Sequence, residues 1–251
     1  MFEILPIPAF NDNYIWLLAR DRRAAVVDPG DAAPVIAQLE ARQLALETIL
    51  ITHHHADHQG GVAELVERWH PQVFGPAAES ITGCTNPLSG GEKMTVLDQA
   101  VDVLSVGGHT RGHLAYHVPG ALFCGDTLFG AGCGRLFEGT PAQMLASLGR
   151  LAVLPDDTRV YCAHEYTEVN LRFALAVEPE SAALRERVER VRQLRAAGLP
   201  SVPSTLGEEK RTNPFLRCAQ PAVIAAALAR GAVDASLVHV FAAIRGWRNT
   251  F

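Results

Sequence analysis

Short apolar runs that stop at turn-forming residues recur through the first two thirds of the chain. Ala24–Val27 runs into Asp28-Pro29-Gly30, and Leu46–Ile51 runs into Thr52 and a histidine cluster. Val101–Val106 stops at Gly107-Gly108-His109, Leu122–Cys124 at Gly125-Asp126, and Val160–Cys162 at Ala163-His164. Runs of this length bounded by Gly, Pro and Asp read as buried strands. Helical spacing appears between them, in Val62–Trp69 and Pro141–Leu151. The mixture predicts an α/β layered protein with more strands than a strict βαβ alternation supplies.

The texture changes after about residue 165. Leu184, Val188, Val191 and Leu194 share one face of a helix that Pro179 precedes and that Gly198 and Pro200 end. Ala222–Arg230 and Ala235–Ile244 read as two further helices. The expected organisation is therefore an α/β domain over 1–165 and a small helical domain over 166–251.

Composition narrows the function classes. Lys and Arg number 22 against 27 Asp and Glu, a net charge of −5 over 251 residues. A nucleic-acid binder would be basic or carry a basic stripe. The densest cationic stretch, Arg185–Arg195, contains Glu186 and Glu189 and reads as a solvated helix face. No nucleic acid is expected as a partner. No apolar run approaches the roughly 18 residues that span a bilayer, and the first residues lack a signal-peptide pattern, so no membrane partner is expected either. The five cysteines are widely spaced with no C-x-x-C pair, which fits a reducing cytoplasm. A monomer is the working expectation.

The chemistry concentrates in Thr52-His53-His54-His55-Ala56-Asp57-His58-Gln59-Gly60-Gly61. In an extended segment His53 and His55 share one side and His54 points away, because side chains alternate. Asp57 and His58 follow on the turn into a helix. Four donors in six residues are too many for one ion on so short a loop, and two ions sharing a pocket resolve the crowding; imidazole and carboxylate suit zinc, iron or manganese. Three more donors, His109, Asp126 and His164, lie where strands end and deliver side chains to one sheet edge. Asp126 is the expected bridge, since a carboxylate can give each ion one oxygen. Cys133, between Gly132 and Gly134, reads as a packed cysteine rather than a nucleophile, and Asp28 and His113 as partners of the donors. Neither a Gly-x-Ser-x-Gly elbow nor a phosphate-binding glycine loop is present.

His53-x-His55-x-Asp57-His58 with His109, Asp126 and His164 in that order resembles the metallo-β-lactamase superfamily. The resemblance implies a four-layer αββα fold: two mixed sheets packed together, helices on both outer faces and metals at one edge. Asn11-Asp12-Asn13-Tyr14, Val27-Asp28-Pro29-Gly30, Gly125–Phe129, Gly132–Arg135, Tyr161–Thr167 and Asn213–Arg217 are similar to one branch, the glyoxalase II or hydroxyacylglutathione hydrolase family. That branch implies hydrolysis of S-(2-hydroxyacyl)glutathione, S-D-lactoylglutathione in particular, to a 2-hydroxy acid and glutathione by a metal-bridging hydroxide, the second step of methylglyoxal detoxification. His53, His55 and His109 would hold one divalent ion, Asp57, His58 and His164 the second, with Asp126 between them. Zinc is the first expectation for both ions, with iron and manganese compatible. Asp57 would also orient the hydroxide. Arg135, Phe137, Tyr166 and Arg217 would contact the glutathione moiety. Arg135 and Phe137 stand where other members carry lysine and tyrosine, so Phe137 would have to serve through its backbone.

Other readings differ in what they require. A glutathione persulfide dioxygenase would use one iron held by His53, His109 and Asp126. A diiron electron-transfer protein would carry Glu at the place of His55. A nuclease would gain nothing from a charge of −5. An inert metal-stabilised binding module would need a closed coordination shell.

Overall fold

The computed structural model describes residues 2–251. They divide into two compact units. One comprises the chain up to Ser105 together with Thr110–Gly125, the other Val106–His109 together with Asp126–Phe251.

In the first unit, β1 (Glu3–Ala9), β2 (Asn13–Arg20), β3 (Arg23–Val27), β4 (Ala45–Leu50), β5 (Gln72–Pro76) and β6 (Asn86–Leu88) form one sheet in that order. The first three strands are antiparallel and the rest parallel. Connection length decides this. Asp21 and Arg22, both at positive φ, make the two-residue turn that suits a hairpin between β2 and β3. Parallel neighbours need crossovers, supplied by α1 (Ala32–Arg42) between β3 and β4 and by the pair α2 (Ala56–Gln59) and α3 (Val62–Trp69) between β4 and β5, while residues 77–85 join β5 to β6. Ile15, Leu17, Ala24, Val26, Ile49 and Ile51 of the sheet pack with Val35, Leu39, Val62 and Leu65 of the helices. Their alternates Tyr14, Trp16, Leu18, Ala25, Val27 and Leu50 are also buried. With both faces covered, these strands read as continuous apolar runs.

A second set of strands, β7 (Lys93–Val96), β8 (Gln99–Ser105), β9 (Leu114–Val118) and β10 (Ala121–Gly125), forms an antiparallel meander. The fully buried Tyr116 donates its hydroxyl to the Ile51 carbonyl at 2.7 Å. The Leu114 N–H reaches the Thr52 carbonyl at 2.9 Å. Both bonds tie β9 to the end of β4, where the histidine loop begins.

The second unit opens with the hairpin β11 (Leu128–Phe129) and β12 (Gly132–Cys133), followed by α4 (Pro141–Ala152). Thr140 and Gln143 close a capping box on α4, with Pro141 at its first turn. Then come β13 (Arg159–Cys162), α5 (Thr167–Val177), α6 (Ala182–Ala196), β14 (Ser204–Thr205), α7 (Leu206–Thr212), a 3-10 turn at Pro214–Leu216, α8 (Pro221–Ala229) and α9 (Leu237–Thr250). Leu171, Ala174, Leu184 and Val191 pack α5 against α6 around Ala131.

The expected strands and helices fall where the pattern placed them, with two corrections. The last helix runs over Leu237–Thr250 and not Ala235–Ile244: Ser236 stands at its N-cap, and its apolar stripe of Val240, Phe241 and Ile244 continues into Arg245, a buried residue. The Arg185–Arg195 face is not wholly solvated: Arg187 is 1 % exposed. Its Nη2 donates to Glu209 Oε1 at 2.5 Å and its Nη1 to the Thr212 hydroxyl at 2.6 Å. No helix among the described residues is long and apolar enough to cross a membrane.

Candidate metal centre

In the first unit the end of β4 leads into Thr52 and His53, and His55 is the residue from which α2 starts. His53 Nε2 and His55 Nδ1 converge to 3.0 Å. Asp57 and His58, adjacent on α2, bring Oδ2 and Nε2 to 3.4 Å. The backbone N–H of His54 donates to Glu79 Oε2 at 2.7 Å.

Asp28, at the end of β3, organises this half. It is 4 % exposed, and its φ of 53° is one that Asp tolerates better than most residues. Its Oδ1 accepts the Thr52 N–H at 2.8 Å. Its Oδ2 accepts the Thr52 hydroxyl at 2.7 Å and lies 3.0 Å from His58 Nδ1. A carboxylate only accepts, so Nδ1 of His58 must donate and Nε2 keeps its lone pair. The Thr52 hydroxyl, its proton given to Asp28, accepts from His53 Nδ1 at 3.0 Å. Nε2 of His53 therefore also keeps its lone pair. His113, fully buried, stacks on His53 at 4.6 Å and lies with Nδ1 3.0 Å from the Leu114 carbonyl. Gly125 is obligatory beside this network: its φ is +47°, and a Cβ there would stand 2.3 Å from the Thr52 hydroxyl.

In the second unit, Asp126 presents a different oxygen to each of two histidines. His109 Nε2 lies 3.4 Å from Oδ2, and His164 Nε2 3.4 Å from Oδ1. His109 Nδ1 is 2.8 Å from the Arg135 carbonyl, which again leaves Nε2 as the lone-pair nitrogen. A spacing of 3.4 Å is long for a hydrogen bond. Two ligand atoms each about 2.0–2.1 Å from one tetrahedral ion stand about 3.4 Å apart. The donor set thus fits divalent metal ions in chemistry and in spacing, and the His and Asp clusters are of a kind that could hold them.

The expected substrate residues sort into two places. Tyr166 stacks flat on His164, centroids 4.7 Å apart, with Phe129 edge-on to both rings. Phe137, exposed, lies edge-on to His109 at 5.2 Å, and the Arg135 guanidinium sits 5.6 Å from the Phe137 ring. Arg135 and Tyr166 share a cavity of about 210 Å³ with Asn170, Arg245 and Arg248. Arg217 does not line that cavity. It faces another, between Glu178 and Ala222, and its Nε and Nη2 donate to Glu178 at 2.7 and 2.9 Å.

Arg245 and Arg248 escaped the sequence reading. They sit one turn apart on α9, and their only signal was a cationic pair after an apolar stripe. Arg245 donates to the Cys133 carbonyl at 2.7 Å and to Asn249 at 3.0 Å. Arg248 reaches Asn170 Oδ1 at 3.2 Å. Burial and then the charge of Arg245 lower the Arg248 pKa, the mark of a cation short of negative charge. Cys133 is 4 % exposed, and burial pushes its thiol up to about 11, so it is a packed thiol at neutral pH.

Two family descriptions together match residues 9–251. "Metallo-beta-lactamase superfamily" matches 9–164, and "Hydroxyacylglutathione hydrolase C-terminus" matches 165–251. The hydroxyacylglutathione hydrolase of Dechloromonas aromatica (strain RCB) is 66 % identical over 265 residues, with the whole of both chains covered. That of Methylobacillus flagellatus is 56 % identical over 253 residues, again over the whole of both. Among solved structures, ETHE1 from Myxococcus xanthus matches with a TM-score of 0.65 and 26 % identity, covering 85 % of this chain and 83 % of that one. TTHA1623 in a di-iron-bound form matches with a TM-score of 0.62 and 27 % identity, covering 84 % and 100 %.

Proposed function

Because the chain belongs to the hydroxyacylglutathione hydrolase family of the metallo-β-lactamase superfamily, with that superfamily's α/β fold, we propose how its residues carry out the family's reaction. The chain is a thioester hydrolase that converts S-(2-hydroxyacyl)glutathione, S-D-lactoylglutathione foremost, into a 2-hydroxy acid and glutathione. The observation that carries the mechanism is the division of Asp126, one oxygen towards His109 and the other towards His164. A carboxylate so divided suits two ions with Asp126 as their bridge. On this reading His53, His55 and His109 would hold one ion and Asp57, His58 and His164 the other. Zinc suits these ligands best, and iron or manganese is compatible; TTHA1623 is a structural relative with two irons.

Two ions in such a site supply an activated water at neutral pH and polarise the thioester carbonyl. The chain does the rest. Asp28 and Thr52 hold the lone pairs of His53 and His58 in the ligating direction. Asp57, its side chain 42 % exposed, is the ligand able to accept a proton from the attacking water and orient it. The leaving group is a thiol with a pKa of about 8.5, so it departs as thiolate and needs no dedicated acid.

Glutathione carries two carboxylates, and the cavity holding Arg135, Arg245 and Arg248 offers guanidinium groups that pair with them. Tyr166 and the Phe137 backbone complete the contacts on this reading, and Arg217 joins them only if its pair with Glu178 opens. Residues 1–165 act as the catalytic domain and 166–251 as the substrate-binding one. The cytoplasm suits the five free cysteines, and one chain, carrying all seven donors, is the working unit.

A persulfide dioxygenase needs only His53, His109 and Asp126. The match over 165–251 and the full-length identity to hydroxyacylglutathione hydrolases favour the thioesterase. Glutathione release from S-D-lactoylglutathione by zinc-loaded protein is the test. Absence of thiol release, with oxygen consumed on glutathione persulfide by the iron-loaded protein, would reverse the assignment.

A further inference from the structure

The turn after β1 brings the chain back with Ala9 opposite Asn13. Asn13 therefore starts β2 pointing inwards, 8 % exposed. A buried amide needs partners, and Asn13 Nδ2 donates to Asp57 Oδ2 at 3.0 Å, across 44 positions of sequence. This is the oxygen that faces His58 Nε2 at 3.4 Å. Asp57 sits on a helix of only four residues. With 42 % of its side chain exposed, packing alone does not fix the carboxylate plane.

The main chain of Asp57 is held from another direction. A Cβ on Gly30 would stand 1.8 Å from the Asp57 carbonyl oxygen, so only glycine lets the loop after β3 lie against it. The same Cβ would meet the Phe10 ring at 3.0 Å. One carboxylate is thus pinned at its backbone by the β3 loop and at its side chain by the first residue of β2. Asn13 lies outside the His53–His58 donor run.

We propose that Asn13 is a positioning residue for Asp57. Its amide selects Oδ2 as the oxygen presented beside His58 and keeps the carboxylate from turning into solvent. It thereby sets how tightly that end of the centre holds its ion and how Asp57 meets the attacking water. The inference rests on reading Asp57 as a metal ligand.

The test compares wild type, Asn13→Ala and Asn13→Asp. Asn13→Asp is isosteric, lacks the donor and places a like charge against Asp57, so it stands in if the alanine variant fails to fold. Zinc affinities are read by competition with a chromophoric chelator, and thioester kinetics are measured in excess zinc. The expected result is a 10- to 100-fold weaker affinity for one of two ions with the other unchanged. kcat should fall while KM stays within about two-fold. Wild-type affinities for both ions in the variants would overturn the proposal. So would equal weakening of both ions alongside a lowered Tm, the signature of a purely structural role. If wild type binds two ions and Asn13→Ala loses one, yet wild type releases no glutathione, the positioning role stands and the thioesterase reading falls.

Discussion

His58 Nδ1 and Asp28 Oδ2 lie 3.0 Å apart, and the same oxygen takes the Thr52 hydroxyl at 2.7 Å. One buried carboxylate therefore sets the tautomer of His58 directly and that of His53 through Thr52. Asp28→Asn keeps a side chain that accepts the left-handed backbone but cannot accept from both neighbours at both oxygens. Zinc affinity should fall by about 10- to 100-fold, read as metal retained after dialysis against a chelator. Unchanged retention would remove Asp28 from the metal's support.

A second prediction concerns the buried pair of Arg187 and Glu209, 1 % and 0 % exposed. Glu209→Ala leaves the buried guanidinium with only Glu208, at 3.4 Å, as a carboxylate partner and should destabilise the protein by roughly 3–5 kcal/mol. Arg187→Met with Glu209→Gln should cost much less, because no charge is stranded and the amide oxygen still accepts from the Ala131 N–H and Asn213. Urea unfolding of the two variants distinguishes them, and equal losses would refute the argument.

The two arginine cavities give opposite kinetic expectations. Arg248→Ala removes a guanidinium held by a neutral amide, and KM for the glutathione thioester should rise about ten-fold with kcat little changed. Arg217→Ala breaks the pair with Glu178 and should lower stability while leaving KM unaltered. A rise in KM for Arg217→Ala would return that residue to the substrate site.

Alkaline pH should destabilise the fold through its buried thiols. Burial raises Cys133 to about 11 and Cys162 and Cys218 to about 12, against an ordinary value near 8.5. Above about 8.5 the unfolded chain loses these protons while the native one keeps them, so stability falls as pH rises from there through 11–12. The urea midpoint should drop between pH 8 and pH 10, and Cys162→Ala should flatten that slope. A midpoint independent of pH over this range would contradict it.

The donor residues were legible because each follows an apolar run, and a run that ends at a turn delivers the next side chain to a sheet edge. His53, His109, Asp126 and His164 share this one local signal. Glu209 and Arg187 were not legible. In Leu206-Gly207-Glu208-Glu209-Lys210-Arg211 the acidic pair looks like solvated surface, yet Glu209 is buried because it must accept the Ala131 N–H at 2.8 Å from 78 positions away. Arg245 was hidden for the same reason, its partner being the carbonyl of Cys133. Composition along a helix shows which residues are polar, while their burial depends on partners remote in sequence.

The hairpin Leu128–Cys133 is gripped at its main chain throughout. Asn213 donates to the carbonyls of Phe129 and Gly132, Asn170 to that of Gly130 and Arg245 to that of Cys133, while Glu209 accepts from Ala131. Arg245 also reaches the Cys133 sulfur, at 3.8 Å. The curvature between Asp126 and Arg135 is thus inherited from residues some 40 to 110 positions downstream, so a substitution far along the chain in α5, α7 or α9 can displace the hairpin without touching it in sequence.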